Sequence, residues 1–353
     1  MKTEVLDYEL PDELIAQEPV EPRDHSRLLV LHRSTGEIEH RQFRDIGDYL
    51  EAGDVLIANE SRVIPARIFG RKEPTGGKVE VLLLRQVGPQ RWTALVGGAR
   101  TRVGTTIRIY RETEPTPLTA DVQAIGESGE RTLDFSEPLE GYLDVVGHVP
   151  LPPYIHHPLD DPERYQTVYA YTPGSAAAPT AGLHFTPELL MALRSAGIKL
   201  GFVTLHVGLD TFRPIKEETV EEHEIHREWC RLDQRTAEII NRAKLEGKRI
   251  ISVGTTSVRV LETAARQGLL QTTEEVCPWR QISPFEGFTD LYITPGFKFM
   301  TVDALITNFH LPRSTLLALV MAFAGEENIR RAYQEAVRAR YRFFSFGDAM
   351  LIL

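Results

Sequence analysis

The chain has 353 residues, 42% of them hydrophobic and 25% charged, with a formal net charge of −10. That composition excludes a disordered or low-complexity chain and allows a sizeable core in about two domains. Two cysteines, Cys230 and Cys277, exclude a disulfide framework and point to a reducing compartment, the cytoplasm.

The opening segment, MKTEVLDYELPDELIAQEP, carries acids and prolines where a secretory signal needs an apolar core. Residues 1 to about 66 mix short apolar runs with turns. From 67 onward come short strands at regular spacing: ARIFG, KVEVLLLRQV, RWTALVG, TTIRIY, LTADVQAIG and RTLDF. Gly, Pro and charged turns separate them, which predicts a small antiparallel barrel or sandwich. The proline-rich HVPLPPYIHHP, 148–158, reads as the exit linker. The domain plan is therefore 1–66 with 155–353 as one discontinuous α/β catalytic domain, and 67–154 inserted into it.

Beyond 165 strands and helices alternate. TPELLMALRSAGI is a helix with Thr186 as N-cap and Pro187 at its first position, and KLGFVTLHV is a strand. DQRTAEIINRAKLEGK is an amphipathic helix, RIISVG a strand, SVRVLETAARQG a helix and VDALITNF a strand. Ser314 caps STLLALVMAFAG, and YRFFSFGDAMLIL ends in a last strand. Such alternation predicts a largely parallel sheet or an α/β barrel. The longest apolar run, Leu316 to Ala324, is shorter than the roughly 20 residues a bilayer requires and reads as a buried helix, so no membrane partner is expected.

Charge is unevenly spread. From Arg62 to Arg111 there are eleven arginines and lysines against Glu73 and Glu80, and from Glu112 to Tyr165 twelve acids against Arg131 and Arg164. One basic surface on an acidic protein suits a polyanion bound in one place; a solvated charged face is the plainer alternative. Arg100, Arg102 and Arg108 are the candidate RNA contacts.

Ligands in α/β folds sit beyond strand carboxyl ends. Three such loops here are polar: Thr255-Thr256-Ser257 after RIISVG, His310 to Ser314 after DALITNF, and Thr211 to Pro214 after TLHVGLD. The first offers hydroxyls and a helix N-terminus to a carboxylate or phosphate; ordinary capping would account for one hydroxyl of the three. No phosphate-binding G-x-x-x-x-G-K-[ST] and no G-x-G-x-x-G occurs. His184, in the loop APTAGLHFT shaped by Pro179 and Gly182, is a candidate acid or base, or else a hydrogen-bonded loop residue. Glu221 to Cys230 is the densest ionisable cluster, read as a helix with His223 and His226 on one face. Its H-E-x-H spacing is not that of a zinc helix, and no metal is expected.

These residues lie in segments that resemble the S-adenosylmethionine:tRNA ribosyltransferase-isomerase family nearly end to end. They include DYELPDELIAQEP, NESRVIPARIFG, APTAGLHFT, TLHVGLDTFRP, EEHEIHREW, VGTTSVRVLE, VDALITNFHLPRSTLL and YRFFSFGDAMLI, in the family's order. Glu60 stands where the family usually has Asp, and Ile225 where Met is common. The resemblance implies a barrel-like α/β main domain with an inserted small antiparallel β-barrel. It also implies the reaction: the ribosyl part of S-adenosylmethionine passes to 7-aminomethyl-7-deazaguanine at the tRNA wobble position, giving epoxyqueuosine-tRNA, adenine and methionine. No cofactor is implied beyond S-adenosylmethionine as co-substrate, and a monomer is expected.

Such chemistry needs a base for a hydrogen beside the sulfonium and an acid for departing adenine. The catalytic candidates are His184, His310, His223 and His226, with Asp303 or Glu224 as partners. The substrate-binding candidates are Arg62, Thr180, Gly182, Asp210, Arg213, Thr255, Thr256, Ser257, Asn308 and Ser314. Two rival readings remain. One is a non-catalytic RNA-binding module using the basic β region. The other is a metal-dependent hydrolase built on His223, His226 and Cys230.

Overall fold

The computed structural model describes residues 1–126, 129–208, 214–270 and 281–353. In chain order the strands and helices are β1 (Arg27–Leu31), β2 (Ile38–Gln42), β3 (Val55–Asn59), β4 (Ser61–Val63), β5 (Arg67–Glu73), β6 (Lys78–Gln86), β7 (Arg91–Gly97), β8 (Thr106–Arg111), β9 (Glu114–Ile125) and β10 (Arg131–Phe135). There follow α1 (Leu143–Val146), β11 (Gly147–His148), β12 (Thr172–Ser175), α2 (Pro187–Ser195), β13 (Lys199–Leu205), β14 (Glu228–Leu232), α3 (Gln234–Leu245) and β15 (Ile250–Val253). The last are α4 (Thr255–Leu270), β16 (Phe285–Thr289), β17 (Ala304–Asn308), α5 (Thr315–Ala324), α6 (Glu326–Arg338) and β18 (Ala349–Ile352). The chain divides into two compact units. One comprises Met1–Arg62, Pro152–Thr172 and Ala178–Leu353; the other comprises Val63–Leu151 and Pro173–Ala177.

The smaller unit is a closed antiparallel barrel. Its strands run β5-β6-β7-β10-β9-β8, and β8 pairs back onto β5. That last pairing decides between the barrel and the sandwich that the strand pattern alone left open. Alternation builds the core: Val79, Val81 and Leu83 of β6 point inward with Ile107 and Ile109 of β8 and Leu133 of β10. Each such aliphatic side chain contributes roughly 1.5–3 kcal/mol on burial. Gly70 stands at the closure: a Cβ there would lie 2.7 Å from the Arg108 carbonyl oxygen and 2.7 Å from Ile107 Cγ2.

The larger unit is built on a nine-stranded sheet in the order β16-β14-β13-β3-β15-β17-β18-β1-β2. Its centre, β13-β3-β15-β17, is parallel, as is the β18–β1 pair. The remaining four neighbour pairs, β16–β14, β14–β13, β17–β18 and β1–β2, are antiparallel, so the sheet is mixed where alternation alone predicted a largely parallel one. One of these pairs is long-range: β18 enters between β17 and β1 and runs antiparallel to β17. Strands β3, β15, β17 and β18 are buried along their whole length, which is why VLIAN, IISV, ALITN and AMLI read as unbroken runs rather than alternations.

Helix starts follow the caps read from sequence. Thr186 Oγ1 accepts from Leu189 N at 3.1 Å with Pro187 behind it, and Ser314 Oγ accepts from Leu317 N at 3.1 Å. Asp233 does the same for α3 through Thr236 N, at 2.7 Å. Two elements correct the sequence reading. Residues Glu221 to Cys230 are not a helix: a short 3₁₀ turn, Val220–Glu222, gives way to extended His223 (φ −73°, ψ 124°) and to β14. Pairing with β13 and β16 overrides the local helical spacing. Helix α6 was not among the expected elements, although Ile329, Ala332, Tyr333 and Ala336 mark its buried face.

Candidate functional site

Strands β15 and β17 are parallel neighbours, so their carboxyl ends open on the same side of the sheet. β15 turns into α4 at Gly254, whose φ of +85° an L side chain would strain. Its amide donates to Ile306 O at 2.8 Å, tying the two strand ends together. β17 ends in Asn308, Phe309 and His310. Against them lies a 3₁₀ turn, Thr180–His184. A depression with about 540 Å³ of unfilled space opens here, lined by Thr180, Thr255, Thr256, Asn308, His310 and Ser345 among others.

Asn308 is the hub. Its Oδ1 accepts from Thr180 Oγ1 at 3.1 Å, while its Nδ2 donates to Phe344 O at 3.1 Å and faces His184 Nε2 at 3.2 Å. An amide nitrogen can only donate, so Nε2 of His184 is the bare nitrogen and Nδ1 carries the proton. That Nδ1 lies 2.7 Å from Ser26 Oγ, and the ring stacks on Phe43 with centroids 5.0 Å apart. Burial, helped by the Arg342 and Arg23 charges, pushes the His184 pKa down to about 3.

His310 is held by its main chain. Its N–H donates to Tyr333 Oη at 2.9 Å and its carbonyl accepts from Tyr8 Oη. Its Nε2 meets Thr307 Oγ1 at 2.8 Å, and Nδ1 makes no hydrogen bond among the described residues. Burial pushes its pKa down to about 3 as well. Both imidazoles are therefore neutral at neutral pH. They can accept or relay a proton, but they do not stand ready as protonated acids.

The other expected residues divide clearly. Thr255 and Thr256 line the depression, and Thr256 Oγ1 is buried without a partner among the described residues. Ser257 is turned away, its hydroxyl donating to Val253 O at 2.8 Å, and Ser314 is spent on capping α5. Gly182 serves packing: a Cβ would stand 2.1 Å from Tyr169 Oη. Arg62 pairs with Glu163. Asp303 lies at the opposite, amino end of β17, where Lys244 Nζ binds it at 2.7 Å and it accepts from Ile250 N at 2.7 Å. That geometry makes it a structural anchor, not a partner of the site's histidines. His223 bonds Glu217 Oε2 at 2.9 Å, Glu224 and His226 are exposed, and none of the three lines the depression. Asp210, Arg213 and Cys277 lie outside the described residues. On the barrel, Arg100 and Arg102 are exposed, whereas Arg108 is engaged by Glu73 Oε1 at 2.9 Å and Pro117 O at 3.0 Å.

Ser26, Tyr8, Tyr333, Phe344 and Ser345 were not singled out from sequence. Each reaches the site through pairings between distant parts of the chain, and no local spacing signals them.

Fold and depression together define an α/β protein with a depression of mixed apolar and hydrogen-bonding lining beyond the carboxyl ends of adjacent parallel strands. The profile of the family described as "Queuosine biosynthesis protein" matches residues 3–352. The chain is 54% identical to the S-adenosylmethionine:tRNA ribosyltransferase-isomerase of Dehalococcoides mccartyi and 53% to that of Carboxydothermus hydrogenoformans, covering 100% of both chains in each case. A solved structure titled S-adenosylmethionine tRNA ribosyltransferase, from Thermotoga maritima, is similar at 41% identity and a TM-score of 0.55, over 99% of this chain and 100% of that one. The chain belongs to the queuosine biosynthesis protein family.

Proposed function

We propose that the chain is an S-adenosylmethionine:tRNA ribosyltransferase-isomerase working at the strand-end depression. It transfers and isomerises the ribosyl group of S-adenosylmethionine onto 7-aminomethyl-7-deazaguanine of tRNA, releasing adenine and methionine. The observation that carries the assignment to this depression is the pairing of two unspent polar groups in one lining, Thr256 Oγ1 and His310 Nδ1.

The N-terminus of α4 presents amides without intrahelical partners together with the hydroxyls of Thr255 and Thr256, and the methionine carboxylate is the group it suits. The sulfonium acidifies the hydrogens on the adjacent 5′-carbon. His310, neutral and facing the pocket, takes one of them and relays it toward a ring nitrogen of the departing adenine. The aminomethyl nitrogen gives up a proton to solvent as its bond to the sugar forms, and the thioether of methionine leaves as the epoxide closes. His184 acts as a positioning residue: through Asn308 it holds the Thr180 hydroxyl in place. S-adenosylmethionine is consumed, and no further cofactor enters this scheme.

The test is single-turnover adenine release with both substrates saturating. His310→Asn should slow release by roughly 10²- to 10⁴-fold while S-adenosylmethionine still binds. A near-normal rate would remove His310 from the chemistry. Absence of adenine with the unaltered enzyme would remove the reaction itself.

A further inference from the structure

A second, solvent-open pocket lies beside the first and shares Ser345 with it; Arg23, Ser26, Arg164 and His184 are among its lining residues. Its arginines are held mainly by neutral groups. Arg23 donates to Gln166 O at 2.6 Å and to Glu163 O at 3.0 Å, and Arg164 donates to Val20 O at 3.0 Å. The carboxylate on Arg164 is that of Glu21, at 2.7 Å, and it is 71% exposed. A pair whose carboxylate stands in solvent contributes little, so another anion can take its place at small cost. A guanidinium has five N–H groups, and Arg23 commits two of them among the described residues. Burial, and then the neighbouring Arg164 charge, hold the Arg23 pKa below its ordinary value against the opposing pull of the Glu21, Asp161 and Glu163 carboxylates. Two like charges thus lie half-buried in one lining with a neutral imidazole.

We propose that this pocket binds a backbone phosphate of the tRNA, one flanking the nucleotide that is modified. The proposal rests on the reaction assigned above, which brings one nucleotide of a polyanion to the neighbouring depression. A phosphodiester has two free oxygens and suits the two guanidinium groups of one lining. The carboxylate of S-adenosylmethionine is the smaller alternative, and the amides and hydroxyls at the start of α4 already suit it.

The experiment is a salt titration of binding to an RNA stem-loop bearing the precursor base, with S-adenosylmethionine binding measured separately by calorimetry. Arg164→Gln should weaken RNA binding on the order of tenfold and flatten the log–log salt slope by about 0.7, the value for one single-strand phosphate. Inorganic phosphate should compete with the RNA on the unaltered enzyme and less on the variant. S-adenosylmethionine binding should be unchanged. Arg23→Lys, which keeps the charge and loses the fork, should weaken RNA binding in the same direction, and it reads the site if Arg164→Gln does not fold. An unaltered salt slope in folded Arg164→Gln, or unaltered RNA affinity in Arg23→Lys, overturns the phosphate site and leaves the reaction standing. Weakened S-adenosylmethionine binding with normal RNA binding overturns it in favour of a carboxylate site. Failure of the unaltered protein to bind the RNA overturns both.

Discussion

Acid should destabilise this protein through two buried histidines, and one substitution isolates the share of His184. His184 and His310 are held down to about 3 in the folded chain, whereas in the unfolded chain they protonate near 6.5. Between those values the unfolded state binds more protons than the folded one, so stability is intact above about pH 6.5 and is lost as pH falls toward 3. Each histidine contributes about 1.4 kcal/mol per pH unit in that window. From pH 7 to pH 5 the span below 6.5 is about 1.5 units, or about 2 kcal/mol for each ring. His184→Gln keeps a polar side chain that does not titrate. Urea unfolding of both proteins at pH 7 and pH 5 gives the loss for each, and carboxylate protonation cancels in the comparison. The loss in His184→Gln should be smaller by about 2 kcal/mol. Equal losses in the two proteins would mean that His184 titrates as an exposed imidazole, and the Ser26–His184–Asn308 chain would not exist as described.

Thr256→Val deletes a hydroxyl of the pocket lining that is buried without a partner among the described residues, while keeping the branched shape. The KM for S-adenosylmethionine should rise by the equivalent of about 0.5–3 kcal/mol, with the KM for tRNA unchanged; equal effects on both would return Thr256 to a helix-start role. On the barrel, replacing exposed Arg100 and Arg102 with Ala should flatten the salt dependence of tRNA binding by about 0.9 for each duplex phosphate no longer neutralised. Arg108→Ala should instead lower the melting temperature, because it breaks the bonds to Glu73 and Pro117; a slope change from Arg108 alone would reverse that assignment.

The barrel was legible because its strands obey a local rule. Val79, Val81 and Leu83 alternate with more exposed neighbours, and period-2 burial survives in any register. The caps at Thr186 and Ser314 were legible for the same reason, since a cap is settled within a few residues. Helix spacing misled at Glu221 to Cys230, where the buried set, Glu228, Cys230 and Leu232, has the period of a strand. What could not be read locally is what the sheet brings together. Asn308 meets His184 across 124 positions and Phe344 across 36, and no spacing rule spans such gaps. Asp303 shows the converse: a carboxylate close in sequence to the site lies at the far end of its strand.

The placement of β18 bears on how this chain is made. Beside β1, Arg27 N–H reaches the Asp348 carboxylate across 321 positions, and the fully buried β18 fills the gap between β1 and β17. During synthesis the apolar RLLVL of β1 therefore emerges long before its neighbour exists. Until residues 349–352 are added, β1 and β17 each keep an unsatisfied row of main-chain groups, the kind of edge that recruits other nascent chains. A ribosome that stalls just short of Ala349 leaves a polypeptide holding every residue of the depression's lining but unable to seal its own sheet, a ready substrate for chaperones and proteases.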